Sequence, residues 1–389
     1  MIVIILKEVR MGSIYKLIII CLLLQSNTAA QSLYIRGKVL DAETGLPLSN
    51  ASIFINNSTT GTISNATGEF QLGPFAPGSY EVIASFVGYD RLLYAADLQT
   101  VSLRITFQMT KKDSEMRELL ILPEETRMKY LEAFKLNLLG ETSAAKRAKI
   151  RNLKDVQFAA TQDKNEIVAY CDTTIVVDNP ELGYVVHFDL VDFYLNRRTG
   201  ESRFYGYTRF QEKDENGTVK RKWLKRRREA YEGSSMHFFR SLVGCTLKQE
   251  GFDMQNVYKK EMKPQPDQPV VIQASPAGIN NSFNIAVPVT EDSVLRVYRD
   301  SGYKIYQLKT ADWLRILYNK NTDLKEDIMR SRIIGGQPRT GTVTGLRPFH
   351  PPILVDNRGR VLSAMGFYYD GMWSYERLAN MLPEDYVPE

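Results

Sequence analysis

Residues 34–55 read YIRGKVLDAETGLPLSNASIFI, and their pattern sets the architecture of everything near them. Ile35, Gly37 and Val39 alternate with other residues, and Asp41 Ala42 Glu43 Thr44 Gly45 then supply a turn in which Gly45 can take positive φ. Pro47 and Leu48 lead into a second strand over 51–55. The same rhythm continues downstream. Residues 61–64 and 69–72 flank a turn at Asn65 to Gly68, with Phe70 as the inward anchor. Pro77 Gly78 turn the chain into 80–85, and 101–109 closes the unit with Val101, Leu103, Ile105 and Phe107 on one face. Short strands at this spacing, without a helical period, predict an antiparallel sandwich over residues 31–110.

The landmarks Gly37 x Val39 x Asp41, Thr44 Gly45 x Pro47 Leu48, Ala51 x Ile53, Gly61 Thr62, Gly68 x Phe70, Gly78 x Tyr80 and Gly88 Tyr89 resemble the carboxypeptidase regulatory-like domain. That resemblance implies a transthyretin-like Greek-key β-sandwich, found beside zinc carboxypeptidases and at the front of many Bacteroidetes envelope proteins. Asn65 departs from the family's usual Asp before Gly-x-Phe. Asn tolerates the same turn but makes a bound cation less expected. Peptidase chemistry itself needs a His-x-x-Glu pair on zinc. Leu190, Arg240 and Ile353 stand three positions after His187, His237 and His350, so that motif is missing. The sequence accordingly assigns no catalytic, cofactor-binding or metal-binding residue, and no cofactor.

Residues 1–30 read as a secretory signal peptide. Lys7 and Arg10 precede, and Lys16 lies at the start of, the apolar run from Ile14 to Leu24, and Thr28 and Ala30 provide small residues before a cut ahead of Gln31. The run is far shorter than the roughly 20 residues that span a bilayer. Met11 is the expected start, and Ile20 before Cys21 argues against lipidation. The expected compartment is therefore outside the cytoplasm: the periplasm, the outer membrane or the cell surface. Over the whole chain 50 basic residues face 45 acidic ones, and the formal charge is +5. So small an excess excludes a dedicated nucleic-acid binder. In an oxidising compartment Cys171 and Cys245 can pair or remain two buried thiols.

Beyond the sandwich, a helical connector over 111–155 is expected, with its helix at 123–140. Glu124 and Glu125 favour its start, Gly140 stops it, and Met128, Leu131, Phe134 and Leu138 form the packed stripe. Residues 156–389 read as a larger β-rich α+β domain, so the overall class is mainly β. Expected strands there include 167–171, 174–177, 184–195 and 203–210, with a hairpin turn at 197–200. In the long strand Tyr184, Val186, Phe188 and Leu190 share one face, and His187 and Asp189 share the other. Further strands are expected at 270–273, 295–298, 313–318, 353–356 and 360–364, with loop glycines at 335–336 and 341–345. A short C-terminal helix is expected over 371–382, offering Trp373, Leu378 and Leu382 for packing.

Residues 220–228, KRKWLKRRR, hold seven basic residues in nine. They either grip phosphate groups of lipid headgroups, lipopolysaccharide or nucleic acid, with Trp223 stacking or inserting, or form a solvated hairpin end, neutralised by Glu212, Asp214 and Glu215 across a turn at Asn216 Gly217 and leading into a helix over 227–243. Ser234, Ser235 and His237 lie too close in sequence to read as a triad. From Phe134 to the tail at Pro383 the chain also resembles long Bacteroidetes exported proteins whose β-rich region has no established catalytic residues. The expectation is a non-catalytic envelope protein that binds an unknown envelope protein or glycan. The alternative is an envelope hydrolase with its site in 156–389, drawing on His187 or His237. A transporter front end is excluded by length, since the residues after the sandwich are too few for a plug and a 22-stranded barrel.

Overall fold

The computed structural model describes residues 32–112, 122–159, 161, 163–214, 219–261, 274–275, 278–279, 282–320, 342–362 and 366–388. The signal segment 1–30, the Asn216 Gly217 turn, the strand expected at 270–273 and the glycines at 335–336 lie outside them.

Seven strands form the first unit: β1 (Leu33–Asp41), β2 (Ser52–Ile55), β3 (Gly61–Ile63), β4 (Glu69–Phe75), β5 (Gly78–Ser85), β6 (Leu92–Leu98) and β7 (Leu103–Met109). They make two sheets, ordered β4-β1-β7 and β3-β2-β5-β6. Alternating Ile35, Val39, Ile53, Phe70, Val82 and Phe107 fill the space between them, as the period-2 pattern requires. One ladder departs from the antiparallel expectation, since β1 and β7 run parallel from Ile35 opposite Leu103 to Asp41 opposite Met109. The chain crosses between sheets after β6, and so returns to β1 in the same sense. Val101 lies before β7 and is exposed rather than on its inward face.

The second unit is a six-stranded sheet made of β8 (Lys149–Ile150), β9 (Gln157–Ala159), β10 (Glu166–Tyr170), β11 (Ile175–Asn179), β12 (Tyr184–Asn196) and β13 (Ser202–Glu212). β12 is its spine. β13 pairs along its length, while β11 and β10 share the opposite edge. The buried face carries Tyr184, Val186, Phe188 and Leu190, as alternation predicts. Helices α1 (Glu124–Leu139) and α2 (Ser143–Arg147) cover that face, with the Phe134 ring 4.7 Å from Phe193. Of the expected stripe on α1, Met128 is exposed and the other three residues are buried.

Three further helices follow, α3 (Arg221–Tyr231), α4 (Ser235–Val243) and α5 (Leu247–Glu250). The basic run is thus itself helical, and the helix expected over 227–243 is two helices. Lys and Arg are good helix formers, while Gly233 at φ 70° and the Ser234 cap, which accepts from the His237 amide, stop one helix and start the next.

The third unit contains β14 (Phe252–Glu261), β15 (Ala274–Ser275), β16 (Gly278–Ile279), β17 (Ser282–Val289), α6 (Glu291–Val294), β18 (Leu295–Ser301), β19 (Tyr303–Leu308), β20 (Trp313–Tyr318), β21 (Thr342–Pro348), β22 (Ile353–Asp356) and β23 (Phe367–Gly371). Its main sheets run β17-β14-β20-β21-β23 and β18-β19-β22. Phe238, Phe239, Phe252, Leu314, Leu346 and Trp373 share its core. Gly345 lies within β21 rather than in a loop. Of the strand expected over 360–364, residues 363–364 lie outside the described residues, and Val361 forms a bridge to Val355. The C-terminal segment is two 3₁₀ turns, Met372–Tyr375 and Leu378–Asn380, not an α-helix. An α-helix does not fit because neighbouring residues serve different cores: Trp373 packs into the third cluster, whereas Leu378 and Leu382 pack into the second.

The closest approach in the sandwich tests this packing. A methyl group at Gly37 would fall 1.7 Å from the Ile105 carbonyl oxygen. Gly37→Ala is therefore expected to force β1 and β7 apart and lower stability by up to about 3 kcal/mol, read from urea denaturation. An unchanged midpoint would contradict the parallel pairing.

Candidate functional site

The residues that look chemical in the sequence are occupied structurally. His237 is 4% exposed and stacked on Tyr231, its ring centroid 4.7 Å away. Its Nδ1 accepts from the Gly233 amide at 2.9 Å, so the neutral ring carries its proton on Nε2 and donates to Glu250 at 3.1 Å. Ser234 caps α4 and holds no reactive geometry toward the ring. His187 Nε2 lies 3.3 Å from Gln211 Oε1. Burial and then the Arg209 guanidinium hold its pKa below the ordinary imidazole value. The buried Asp189 accepts from Thr174 at 2.6 Å and pairs with Arg91 at 3.1 Å. Cys171 is buried and Cys245 exposed, both as free thiols. Among the described residues, no group of three or more His, Cys, Asp or Glu is arranged to hold a metal ion.

The basic run divides by helical face. Arg227 is buried, donates to the Leu182 and Gly183 carbonyls, pairs with Glu212 and stacks 4.0 Å over Tyr184. Arg226 bridges Glu181 and Glu229. Trp223 is 6% exposed and donates to the Pro180 carbonyl at 3.0 Å. Stacking on or inserting into a ligand is therefore closed to Trp223. Arg221, Lys222, Lys225 and Arg228 remain exposed on the outer face.

A polar junction brings the three units together. The Asn56 side chain donates to Glu81 at 2.7 Å and accepts from the Thr208 amide at 2.9 Å. Asn57 and Ser58 then run along the open edge of β13, where the Asn57 amide donates to Thr208 and the Phe210 amide to Ser58. From the other side the Glu384 amide donates to the Asn57 carbonyl at 2.6 Å, and Asp385 accepts from the Thr59 amide and hydroxyl. Arg240 of α4 donates to the Glu384 and Tyr386 carbonyls, each at 2.8 Å. Asp356 is fully buried in the β22 turn and accepts from the Arg358 and Arg360 amides. The Arg358 guanidinium crosses to the Ser79 carbonyl at 2.8 Å and lies 4.3 Å over the Tyr80 ring. Its seat exists because residue 78 is glycine, where a methyl group would fall 2.9 Å from the guanidinium.

The sandwich also carries an open cleft of about 380 Å³ between β6 and β7, lined by Leu92, Tyr94, Arg104, Thr106, Phe107 and Gln108 among others. The cleft mixes the apolar side chains of Leu92 and Phe107 with the polar ones of Arg104, Thr106 and Gln108. No alternation in the sequence pointed to this cleft. Leu92 to Leu98 includes Ala95, Ala96 and Asp97, poor strand formers, so β6 was hidden.

At the junction the Glu384 carboxyl is pushed up to about 7, first by burial, with Glu81 and Asp356 adding and Arg360 and Arg358 opposing. Its side chain still keeps 31% of its surface, so solvent moderates the effect. A folded-state value above the ordinary 4.5 means that the folded chain takes up this proton first as pH falls. Stability therefore rises between pH about 7 and 4.5 through this group. The Tm of the wild type minus that of Glu384→Gln is expected to grow as pH is lowered from 8 to 5, and a constant difference would contradict the crowding.

The model of the CarboxypepD_reg-like domain matches residues 35–121. Among solved structures, a cohesin–X-dockerin complex from Acetivibrio cellulolyticus is similar at 15% identity over 28% of this chain and 76% of that one, TM-score 0.19. A Bacteroides uniformis protein provisionally described as carbohydrate-binding aligns at 9% identity over 75% of this chain and 91% of that one, TM-score 0.18. A Bacteroides fragilis protein of unknown function, provisionally described as membrane-associated, aligns at 12% identity over 87% and 93%, TM-score 0.17. A search of curated proteins finds no match. The landmark glycines, the two-sheet sandwich they close and the matching model agree: the front unit of this chain is a CarboxypepD_reg-like domain.

Proposed function

We propose that this is a non-catalytic binding protein of the bacterial cell envelope, exported by residues 1–30, whose sandwich engages an envelope protein or glycan. The observation that carries this reading is the division of labour among polar groups. Buried His237, Asp189, Arg227 and Asp356 are committed to internal bonds. The mixed apolar and polar cleft at β6 and β7, by contrast, opens to solvent on a unit that the junction holds in place. Among the described residues no helix is long and apolar enough to cross a membrane. The outer cations of α3, Arg221, Lys222 and Lys225, add peripheral attraction to an anionic membrane surface, without insertion of Trp223. Nucleic acid is not an expected partner.

The test is equilibrium binding of the purified 31–389 chain to immobilised envelope fractions: outer-membrane protein, lipopolysaccharide and peptidoglycan. Saturable binding to at least one is expected, with no turnover. Silence against all of them, together with a hydrolytic activity lost in His187→Ala or His237→Ala, would replace this reading with the hydrolase.

A further inference from the structure

The sandwich is asymmetric, with four strands in one sheet and three in the other. β6 is the edge strand of the larger sheet, and the smaller sheet ends at β7 beside it. Along β6, Ala96 and Leu98 point inward and are fully buried. Leu92 and Tyr94 have the same parity and pair with the buried Ala84 and Val82, so they point inward too. Yet Leu92 is half-buried and Tyr94 exposed, because the three-stranded sheet stops at β7 before reaching them.

The stopping edge is a competent template. The Met109 carbonyl accepts from Ala42 on the β1 side, while the Thr110 carbonyl accepts from Asp90 on the opposite side. Alternation then turns the N–H and C=O groups of Arg104, Thr106 and Gln108 away from β1, into the cleft. The chain itself already pairs the end of this edge. Tyr89 bridges Lys111 antiparallel, and the Lys112 amide donates to Gly88. Past Asp90 the chain leaves to join β5, and the cleft opens where that pairing lapses. Proline and bulges, the usual protections of an edge, are absent from β7.

We propose that the cleft receives an extended strand from a partner protein, added antiparallel to β7 as the fourth strand of the smaller sheet. This rests on the binding reading above and names its partner class. The incoming strand bonds to the backbone of Arg104, Thr106 and Gln108. It covers Leu92 and Tyr94 with apolar side chains at alternate positions, and places acidic side chains beside the exposed Arg104 on the other face. A glycan lacks the backbone amides that this edge would match.

The experiment is amide hydrogen exchange on the 31–389 chain, with and without a capped octapeptide of alternating valine and glutamate. Without peptide, the amides of Arg104, Thr106 and Gln108 should exchange rapidly and those of Ile105 and Phe107 slowly. With peptide, the first three should slow at least tenfold. Arg104→Glu should abolish that protection and transfer it to a valine and lysine octapeptide. Thr106→Pro should abolish it for both, since it removes an outward N–H. Equal protection of the wild type by both peptides, or by neither, would overturn the proposal. Protection that appears without peptide as concentration rises would do the same, in favour of a second copy of the chain. If Thr106→Pro and Arg104→Glu both bind envelope fractions as the wild type does, strand addition fails while the binding reading stands.

Discussion

Loop 56–60 of the sandwich is gripped between the edge of β13 and the C-terminal segment, and the arrangement of the three cores follows from that grip. Backbone and amide groups withdrawn from water must find partners. Here each element satisfies another's. Asn56 connects Glu81 within the sandwich to Thr208 on β13, Ser58 accepts from Phe210, and Asn57 accepts from Glu384. The same contacts cap an edge strand that would otherwise present a free row of donors and acceptors. β13 is therefore protected by another part of the chain, whereas β7, among the described residues, is paired on its outer side only past its end, at Thr110 to Lys112.

Magnitudes identify which contacts matter. Exposed pairs such as Lys129 with Glu125, and Lys38 with Glu69, contribute roughly 0–1 kcal/mol each. At the junction, removing one partner leaves a buried group unsatisfied, at a cost of about 1–3 kcal/mol. Asn56 serves two such bonds and Arg240 two more. These are the contacts that can couple cores otherwise held apart by their own apolar clusters.

Much of the sandwich was legible in the sequence because its code is local. Gly37 and Gly68 each answer a steric need of the backbone around them, and Ile35, Val39 and Phe70 alternate cleanly. The long strand at 184–195 was legible for the same reason, being apolar on one face over its first half. What escaped reading was long-range. The sequence marks Arg358 and Glu384 only as surface-type residues, and nothing local says that one reaches Ser79 and the other Asn57. The basic run was misplaced as a hairpin end because its charge is conspicuous and its burial is not. Arg227 and Trp223 turn inward only because Tyr184 and Pro180 lie behind them. The 3₁₀ turns at the C-terminus replaced an expected helix for a related reason, since Trp373 and Leu378 answer to different cores.

Differential scanning calorimetry of the wild type beside Asn56→Ala tests the central claim most directly. If the junction makes one cooperative body of the three cores, the wild type unfolds in a single transition. Asn56→Ala then splits off an earlier transition belonging to the sandwich. Two resolved transitions in the wild type, or a variant whose profile overlays it, would show that the cores stand side by side without depending on that loop.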